Sequence, residues 1–299
     1  MRFGVWIILA LLLQAAPAPA LAHEGLLPAP YQIDGLVRFK SDRFRLDDGL
    51  GLNPALVAVD LGDAQKAPHP DGKRLATMTF VGSAGIGFGK LTGIQKHCDY
   101  LCGDAGEACH YVGLYLLDDP VERIGTPLIA IPGAPALAGF QAPPEAAGGG
   151  AGAEAVLPQA LIGRDFADLA WAPYGKDGPA LRIAAWDGEN RRLELEARWK
   201  SGGKFQTTGR NCALRRIGEV TEVQCDGVAL IVGDVAPLLL SYPDYNLASA
   251  QVVATLGLGK ATLYLVRLGL KAQTAFGLLY RGEDGWRGLF RPRDYALLC

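Results

Sequence analysis

The chain has 299 residues, a formal net charge of −2 and 49% hydrophobic residues. Neither sign of charge dominates and no basic stripe runs along the chain, so we expect no nucleic-acid partner. The length suits one large or two ordinary domains.

The first predicted element is an export signal. Arg2 precedes an apolar run at 5–13, and small residues follow up to Ala-Leu-Ala at 20–22. This order is typical of a secretory signal peptide cleaved after Ala22, and the apolar run is too short to span a bilayer. We therefore expect residues 1–22 to be removed, the protein to be periplasmic or extracellular, and the mature chain to have no membrane span.

Strand patterns dominate the rest of the chain. In the segment 191–199, Leu193 and Leu195 alternate with Glu194 and Glu196, which is the period of a half-buried strand. Helical periodicity is almost absent, and Gly-rich turns separate the segments. The other segments of strand length are 54–62, 73–82, 111–119, 180–188, 227–234 and 261–269. The pattern predicts an all-β fold of antiparallel sheets in two sandwich- or barrel-like units, with a small β-propeller as the alternative.

The composition divides the mature chain. In the segment 132–155, 19 of 24 residues are Ala, Gly or Pro, which predicts a flexible linker or long surface loop. We expect a first β unit at 23–131 and a second at 156–299.

The two units carry matching features. Cys109 and Cys225 lie 116 positions apart, as do Asp118 and Asp234, and the sequences between them have similar patterns. We infer an internal duplication, so the two units are predicted to be related.

The six cysteines are expected to form disulfides, because the number is even and an exported protein meets an oxidising compartment. The stretch 213–224 is predicted to be a hairpin with its turn near Gly218, flanked by a cysteine on each side. The duplication indicates an equivalent pair in the first unit, although six cysteines allow 15 pairings. The predicted pairs are Cys212–Cys225, Cys98–Cys109 and, from the remaining two, Cys102–Cys299.

The densest group of reactive residues is HCDYLCGDAGEACH at 97–110. The spacing excludes the Cys-x-x-Cys-His of a c-type haem and misses the Cys-x-x-Cys redox motif by one residue. The short ligand pairs typical of zinc sites are missing as well. A disulfide-stapled hairpin is the favoured interpretation.

A copper site at the mature amino terminus is an alternative. Cleavage after Ala22 would leave His23 with a free α-amine, and amine and imidazole nitrogens suit copper. This arrangement resembles the histidine brace of lytic polysaccharide monooxygenases and of some periplasmic copper carriers. The resemblance implies that His69, His97 or His110 would supply the second ring.

Signals for other catalytic chemistry are weak. The Gly-rich stretch at 82–93 lacks the spacing of a nucleotide-binding loop, and no Gly-x-Ser-x-Gly elbow surrounds Ser83. Its glycines are expected to permit bulges or close strand approach. A carbohydrate-active hydrolase using acidic residues stays open as an alternative.

Four aromatic residues are candidate binding residues because they lie in Pro- and Gly-containing loops, where such rings form binding platforms. They are Trp171, Tyr174, Tyr242 and Tyr245. Together these patterns favour a non-catalytic, exported binding or envelope-associated module with a protein, peptide or glycan ligand and no cofactor.

Overall fold

The computed structural model describes residues 30–37, 56–64, 68–100, 107–118, 121–133, 137–142, 157–167, 180–198, 200, 202–233, 237–241, 247–270, 274–282 and 285–289. The predicted signal peptide lies outside these residues. Among the helices of the described chain, none is long and apolar enough to cross a membrane.

The described residues are almost entirely β-strand. The strands, in chain order, are β1 (Tyr31–Val37), β2 (Leu56–Asp63), β3 (Thr77–Gly82), β4 (Ile86–Tyr100), β5 (Glu107–Leu117), β6 (Pro127–Pro132), β7 (Leu137–Gln141), β8 (Asp165–Ala167), β9 (Ala180–Asp187), β10 (Arg192–Arg198), β11 (Lys204–Ile217), β12 (Val220–Asp226), β13 (Val228–Val232), β14 (Pro237–Ser241), β15 (Leu247–Leu258), β16 (Ala261–Leu270), β17 (Thr274–Gly282) and β18 (Gly285–Leu289). A one-turn helix, α1 (Val121–Ile124), and a 3-10 turn (Gln159–Leu161) accompany them.

The strands form three sheets. The first closes into a barrel in the order β1-β2-β5-β4-β3-β6. The second has seven strands in the order β14-β13-β12-β11-β10-β9-β8, and the third has five in the order β18-β17-β16-β15-β7. This confirms the predicted all-β, sandwich- or barrel-like architecture. The described strands do not form the blades of the alternative propeller.

The barrel is filled by alternating side chains. Val57 and Val59 on β2 point inward with Phe80 on β3 and Tyr115 on β5. The rings of Phe80 and Tyr115 meet edge to face at 5.7 Å. The Tyr115 hydroxyl donates a hydrogen bond to the Leu75 carbonyl at 2.9 Å, and burial raises the pKa of Tyr115 far above its ordinary value, so this donor stays protonated.

The five-stranded sheet is buried on both faces. On β16, Tyr264 and Val266 pack against the seven-stranded sheet, while Leu263 and Leu265 pack against the barrel. A strand covered on both sides reads as a continuous apolar run, which is why ATLYLVRLGL shows little alternation.

A bulge in β15 lets this strand contribute side chains to the cores on both faces of its sheet. The pairing of β15 with β16 shifts by one residue between Val252 and Ala254. Val252 belongs to the core shared with the seven-stranded sheet, whereas Ala254 and Leu256 belong to the core shared with the barrel. A one-residue insertion moves the following side chains to the opposite face of the sheet.

A buried glutamine joins the barrel to the five-stranded sheet. Gln32 on β1 is 4% exposed, and its Nε2 donates to the Phe276 carbonyl at 2.7 Å. The Phe276 N–H donates back to Gln32 Oε1 at 3.0 Å. The side-chain amide thus makes the two hydrogen bonds that a neighbouring strand would make. It does so at Phe276, which has no partner in the β17–β18 register, since that pairing begins at Leu278.

Three side chains of the seven-stranded sheet do the same for β15. Glu222 accepts a hydrogen bond from the Val252 N–H, and Gln224 donates to the Ala250 carbonyl. Arg215 pairs with Glu222 at 2.7 Å and donates to the Val252 carbonyl at 3.4 Å. Strand β7 pairs with β15 only from Thr255 onward, so these side chains satisfy backbone groups that β7 does not reach.

Part of the predicted Ala-, Gly- and Pro-rich linker is a strand. Residues 137–141 of the predicted linker form β7 and pair with β15, because backbone groups can pair even where side chains are small. The boundaries at 131 and 156 stay a prediction.

The proposed duplication has one structural parallel. The meanders β3-β4-β5 and β10-β11-β12 each carry a disulfide between their second and third strands. However, the matched stretch after Cys109 is one continuous strand, whereas the stretch after Cys225 turns at Gly227 with φ 76°. The relation between the units stays a hypothesis.

Candidate functional site

Two disulfides lie where the sequence predicts them. Cys98 joins Cys109, and Cys212 joins Cys225, each with a Cα–Cα distance of 4.0 Å. The predicted hairpin turn at Gly218 is also present, with φ 57°. The third predicted pair, Cys102–Cys299, lies outside the described residues and stays a prediction.

The first disulfide belongs to a regular ladder, the β4–β5 hairpin. Cys98 and Cys109 are direct partners in the register, and so are their neighbours His97 and His110. The Ala64 N–H donates to the Cys109 carbonyl at 2.7 Å, which ties the hairpin to the end of β2.

The second disulfide sits at an irregularity in the β11–β12 hairpin. The register shifts between Arg210 and Ala213, and Asn211 has φ 52°. Arg191 fixes this bulge, because its carbonyl accepts the Cys212 N–H at 2.9 Å and its Nε donates to the Cys212 carbonyl at 2.7 Å. Cys212 is 1% exposed and packs in the core of the seven-stranded sheet.

A glycine makes room for the second disulfide. A Cβ at Gly209 would lie 2.6 Å from Cys225 Cβ and 2.8 Å from its Sγ. Real Cβ atoms do not approach that closely, so the disulfide would have to shift for any larger residue. The packing explains why β11 carries glycine in the middle of a strand.

Histidines and acidic residues meet on the outer face of the barrel. Because register partners point to the same side of a sheet, His97, His110 and Asp63 form a row across β4, β5 and β2. His110 Nδ1 lies 3.6 Å from Asp60 Oδ1, an oxygen that also accepts the Gly62 N–H at 2.9 Å. Among the described residues, Nδ1 has no hydrogen-bond partner and is closed off from solvent.

The structure places the other predicted candidates as follows. His69 is not part of this register row and packs edge to face on Tyr111, with ring centres 5.0 Å apart. His23 and the four aromatic candidates, Trp171, Tyr174, Tyr242 and Tyr245, lie outside the described residues. Across the described part of the chain, no group of three or more His, Cys, Asp or Glu side chains is arranged to hold a metal ion. The Gly-rich stretch lies in β3, β4 and their turn, with a bulge between Leu91 and Gly93.

A second polar surface lies on one face of strands β8 to β11 of the seven-stranded sheet. Asp165, Arg182, Glu196 and Gln206 are register partners on four adjacent strands, and we call this row the polar sheet face. Arg182 contacts Asp165 at 3.5 Å, and Gln206 donates to Glu196 at 2.8 Å. Arg198 donates to the other Glu196 oxygen at 2.6 Å.

These contacts also set the charge of the face. Hydrogen bonds from Arg198 and then Gln206 lower the pKa of Glu196, so it is ionised at neutral pH. A shallow depression lies between β10 and β11, where Glu196, Phe205 and Gln206 are among its lining residues. Sites that enclose small ligands are concave pockets, whereas Asp165 and Gln206 of this row are exposed, so the surface suits an extended partner better than a small molecule.

Sequence reasoning named His97 and His110 only as alternative partners of His23, and it missed the polar sheet face. His97 and His110 immediately flank the two cysteines of a predicted disulfide, so the predicted hairpin already makes them neighbours. The pairing of β2 with β5 shifts by one residue between Asp60 and Gly62, and this bulge, which had no sequence signal, brings Asp60 within 3.6 Å of His110.

Comparison of the chain with protein-family models, with curated proteins and with solved structures gave no match.

Proposed function

We propose that the protein is an exported, disulfide-stapled β-protein that acts as a non-catalytic binding or envelope-associated module. The observation that carries the proposal is the polar sheet face, the row Asp165, Arg182, Glu196 and Gln206. Its partner is the extended surface of a protein, peptide or glycan. The copper and hydrolase interpretations are the alternatives that the tests below separate.

The shape and chemistry of the face support an extended partner. Arg182 donates to the Gly163 carbonyl at 2.8 Å, and the contacts of Glu196 with Arg198 and Gln206 hold three neighbouring side chains. Side chains that are already held lose less conformational entropy when a partner binds. The row presents carboxylate, guanidinium and amide groups, which hydrogen-bond equally well to peptide backbones and to sugar hydroxyls.

The two disulfides support export of the protein to an oxidising compartment. Disulfides persist in oxidising compartments and are rare in reducing ones. Intact mass of the protein recovered from the exported fraction tests this part of the proposal. We expect a chain beginning at His23 with its cysteines oxidised. A full-length chain with reduced cysteines in the cytosol would contradict it.

Site-directed photo-crosslinking tests the binding surface. A benzophenone amino acid replaces Gln206 on the polar sheet face or, as the matched control, exposed Lys73 on the barrel. We expect adducts in intact cells from position 206 only, and we expect the additional substitution Glu196→Lys to remove them. Protease and glycosidase digestion then tell a protein adduct from a glycan adduct.

Two results would overturn the proposal. Equal or no adducts at both positions would mean that the face is an ordinary solvated surface. Release of reducing ends from envelope glycans by the purified protein would favour the hydrolase alternative instead.

A further inference from the structure

The row of His97, His110 and Asp63 places two imidazoles next to each other on the outer face of the barrel. Direct register partners in an antiparallel pair have Cβ atoms about 4.5–5.5 Å apart. Metal–nitrogen bonds are about 2 Å long. Two imidazoles at that separation can therefore share one ion without any movement of the backbone.

The strands that carry the two rings are held together. The next register pair is the disulfide Cys98–Cys109, with its Cα atoms 4.0 Å apart. On the other side, β2 pairs with β5 as far as Asp63 and His110. Ligands on a fixed backbone bind an ion with less loss of entropy than ligands on a mobile loop.

Asp60 lies behind His110. The His110 side chain is 30% exposed, yet its Nδ1 is closed off and lies 3.6 Å from Asp60 Oδ1. Asp60 is itself fixed by the Gly62 N–H in the bulge of β2. Histidines that bind metals usually direct their second ring nitrogen at a carboxylate, which fixes the ring and raises the basicity of the binding nitrogen. This leaves Nε2 of His110 as its metal-binding atom.

We propose that His97 and His110 together bind one divalent late transition-metal ion, with Asp60 as the residue that orients His110. Imidazole ligands suit Zn²⁺, Ni²⁺ and Cu²⁺, and Cu²⁺ binds most tightly of the three. The described residues supply these two nitrogens and no group of three protein ligands. Water completes the coordination, and the site lies on the barrel, separate from the polar sheet face.

Titration calorimetry with CuCl2 on the oxidised, purified protein tests the proposal. We expect one equivalent to bind, and the electron paramagnetic resonance spectrum to show two nitrogen ligands. His97→Ala and His110→Ala should each weaken binding at least tenfold. Asp60→Asn should weaken it about 10- to 100-fold, the usual effect of removing such a carboxylate.

His69→Ala is the matched control, since His69 is an exposed histidine of the same barrel, and it should leave binding unchanged. A thermal melt without metal shows whether each variant is folded. Because His97 is exposed, His97→Ala should disturb the fold least. Binding that survives both His97→Ala and His110→Ala overturns the proposal, as does no binding by the intact protein. Dependence on His23 and on only one of His97 and His110 also overturns it, because that is the arrangement of an amino-terminal brace.

Discussion

The two disulfide hairpins have nearly the same spacing but pack differently, although each buries one cysteine, Cys109 at 3% exposed and Cys212 at 1% exposed. Cys98 and Cys109 are 11 residues apart on a barrel ladder whose neighbouring pair is exposed on the outer face, while Cys212 and Cys225 are 13 apart beside a bulge. Cys212 packs inside the seven-stranded sheet. Loop entropy depends on spacing and is therefore almost equal for the two. Any difference in their contribution to stability must come from packing.

The β11–β12 hairpin also joins two sheets. Glu222 and Gln224 bind the backbone of β15, and Arg215 binds Glu222. The β4–β5 hairpin instead carries His97 and His110 on the outer face of the barrel. The comparison indicates that similar hairpins serve two purposes, one in packing and one in presenting side chains.

The largest expected effect is the loss of each disulfide. In the chain-entropy model, loops of this size each contribute about 3 kcal/mol. Replacing Cys212 and Cys225 by Ala should reduce the free energy of unfolding by about 4 kcal/mol, since both side chains pack in the core cluster of the seven-stranded sheet and their loss leaves a cavity there. Replacing Cys98 and Cys109 by Ala should reduce it by about 3 kcal/mol. Urea unfolding followed by tryptophan fluorescence measures both, and an equal or reversed order would contradict the comparison.

The next effect concerns a glycine in each hairpin. Gly209→Ala should destabilise the protein by about 1–3 kcal/mol, the usual cost of overpacking, because the new Cβ would overlap the Cys225 side chain. Gly93→Ala on β4 is the matched control, since nothing lies within 4 Å of its Cβ position. It should be neutral or slightly stabilising. Similar losses in the two variants would contradict this explanation, because they would show that alanine destabilises either strand whether or not a disulfide lies beside it.

The next prediction concerns the pH dependence of stability, and it tests the contact that the second hairpin makes with β15 through Glu222. Burial raises the pKa of the Glu222 carboxyl despite its contacts with Val252 and Arg215. Because the pKa of Glu222 is higher in the folded state than in the unfolded state, its stabilising contribution is fully present at pH values below the ordinary glutamate pKa of about 4.3. That contribution is lost as the pH rises through the folded-state pKa. Each unit of elevation corresponds to about 1.4 kcal/mol.

The variant Glu222→Gln keeps an oxygen for the Val252 N–H and does not titrate. We therefore expect wild-type stability to fall relative to Glu222→Gln as the pH rises from 4 to 7, as measured by urea midpoints in parallel. A wild type that gains stability over this range would mean that the pairing with Arg215 outweighs burial.

The smallest expected effect is at the bulge of the second hairpin. Asn211 has φ 52°, a conformation that asparagine and glycine adopt readily, and its side chain donates to Asp226. Asn211→Ala should cost about 1 kcal/mol and Asn211→Gly less. Thermal unfolding of the two variants compares them directly. Equal losses would show that the hydrogen bond to Asp226, rather than the backbone conformation, is what matters.

Local sequence was sufficient for many of the strands and for the hairpin that the disulfide Cys212–Cys225 closes. Alternation in 191–199 reports a strand with one buried face, and β10 spans Arg192–Arg198. A cysteine on each side of a turn at Gly218 makes cross-strand pairing a local geometric consequence, and the proposed duplication carried this pairing over to Cys98–Cys109. Strand β16, which is buried on both faces, was predicted from its apolar run, whereas its neighbours β15 and β17 were not identified.

Contacts between distant parts of the chain had no such signal. Gln32 and Phe276 are 244 residues apart, and neither residue type indicates that a glutamine amide completes the edge of β17. Glu222 occupies an ordinary polar position in its strand until β15 is brought against it. Register within a hairpin is decided by neighbours in sequence, whereas the partner across a sheet interface is decided by how the sheets pack.

The sequence by itself therefore determined the all-β class, the hairpins and the cysteines that join within them, because these depend on side-chain periodicity and short loops. Only the tertiary structure decided which sheets pack together, that Cys212 is buried in a core, and that Asp60 stands behind His110. Those facts depend on a bulge and on the burial of both faces of one sheet, which are properties of the assembled chain.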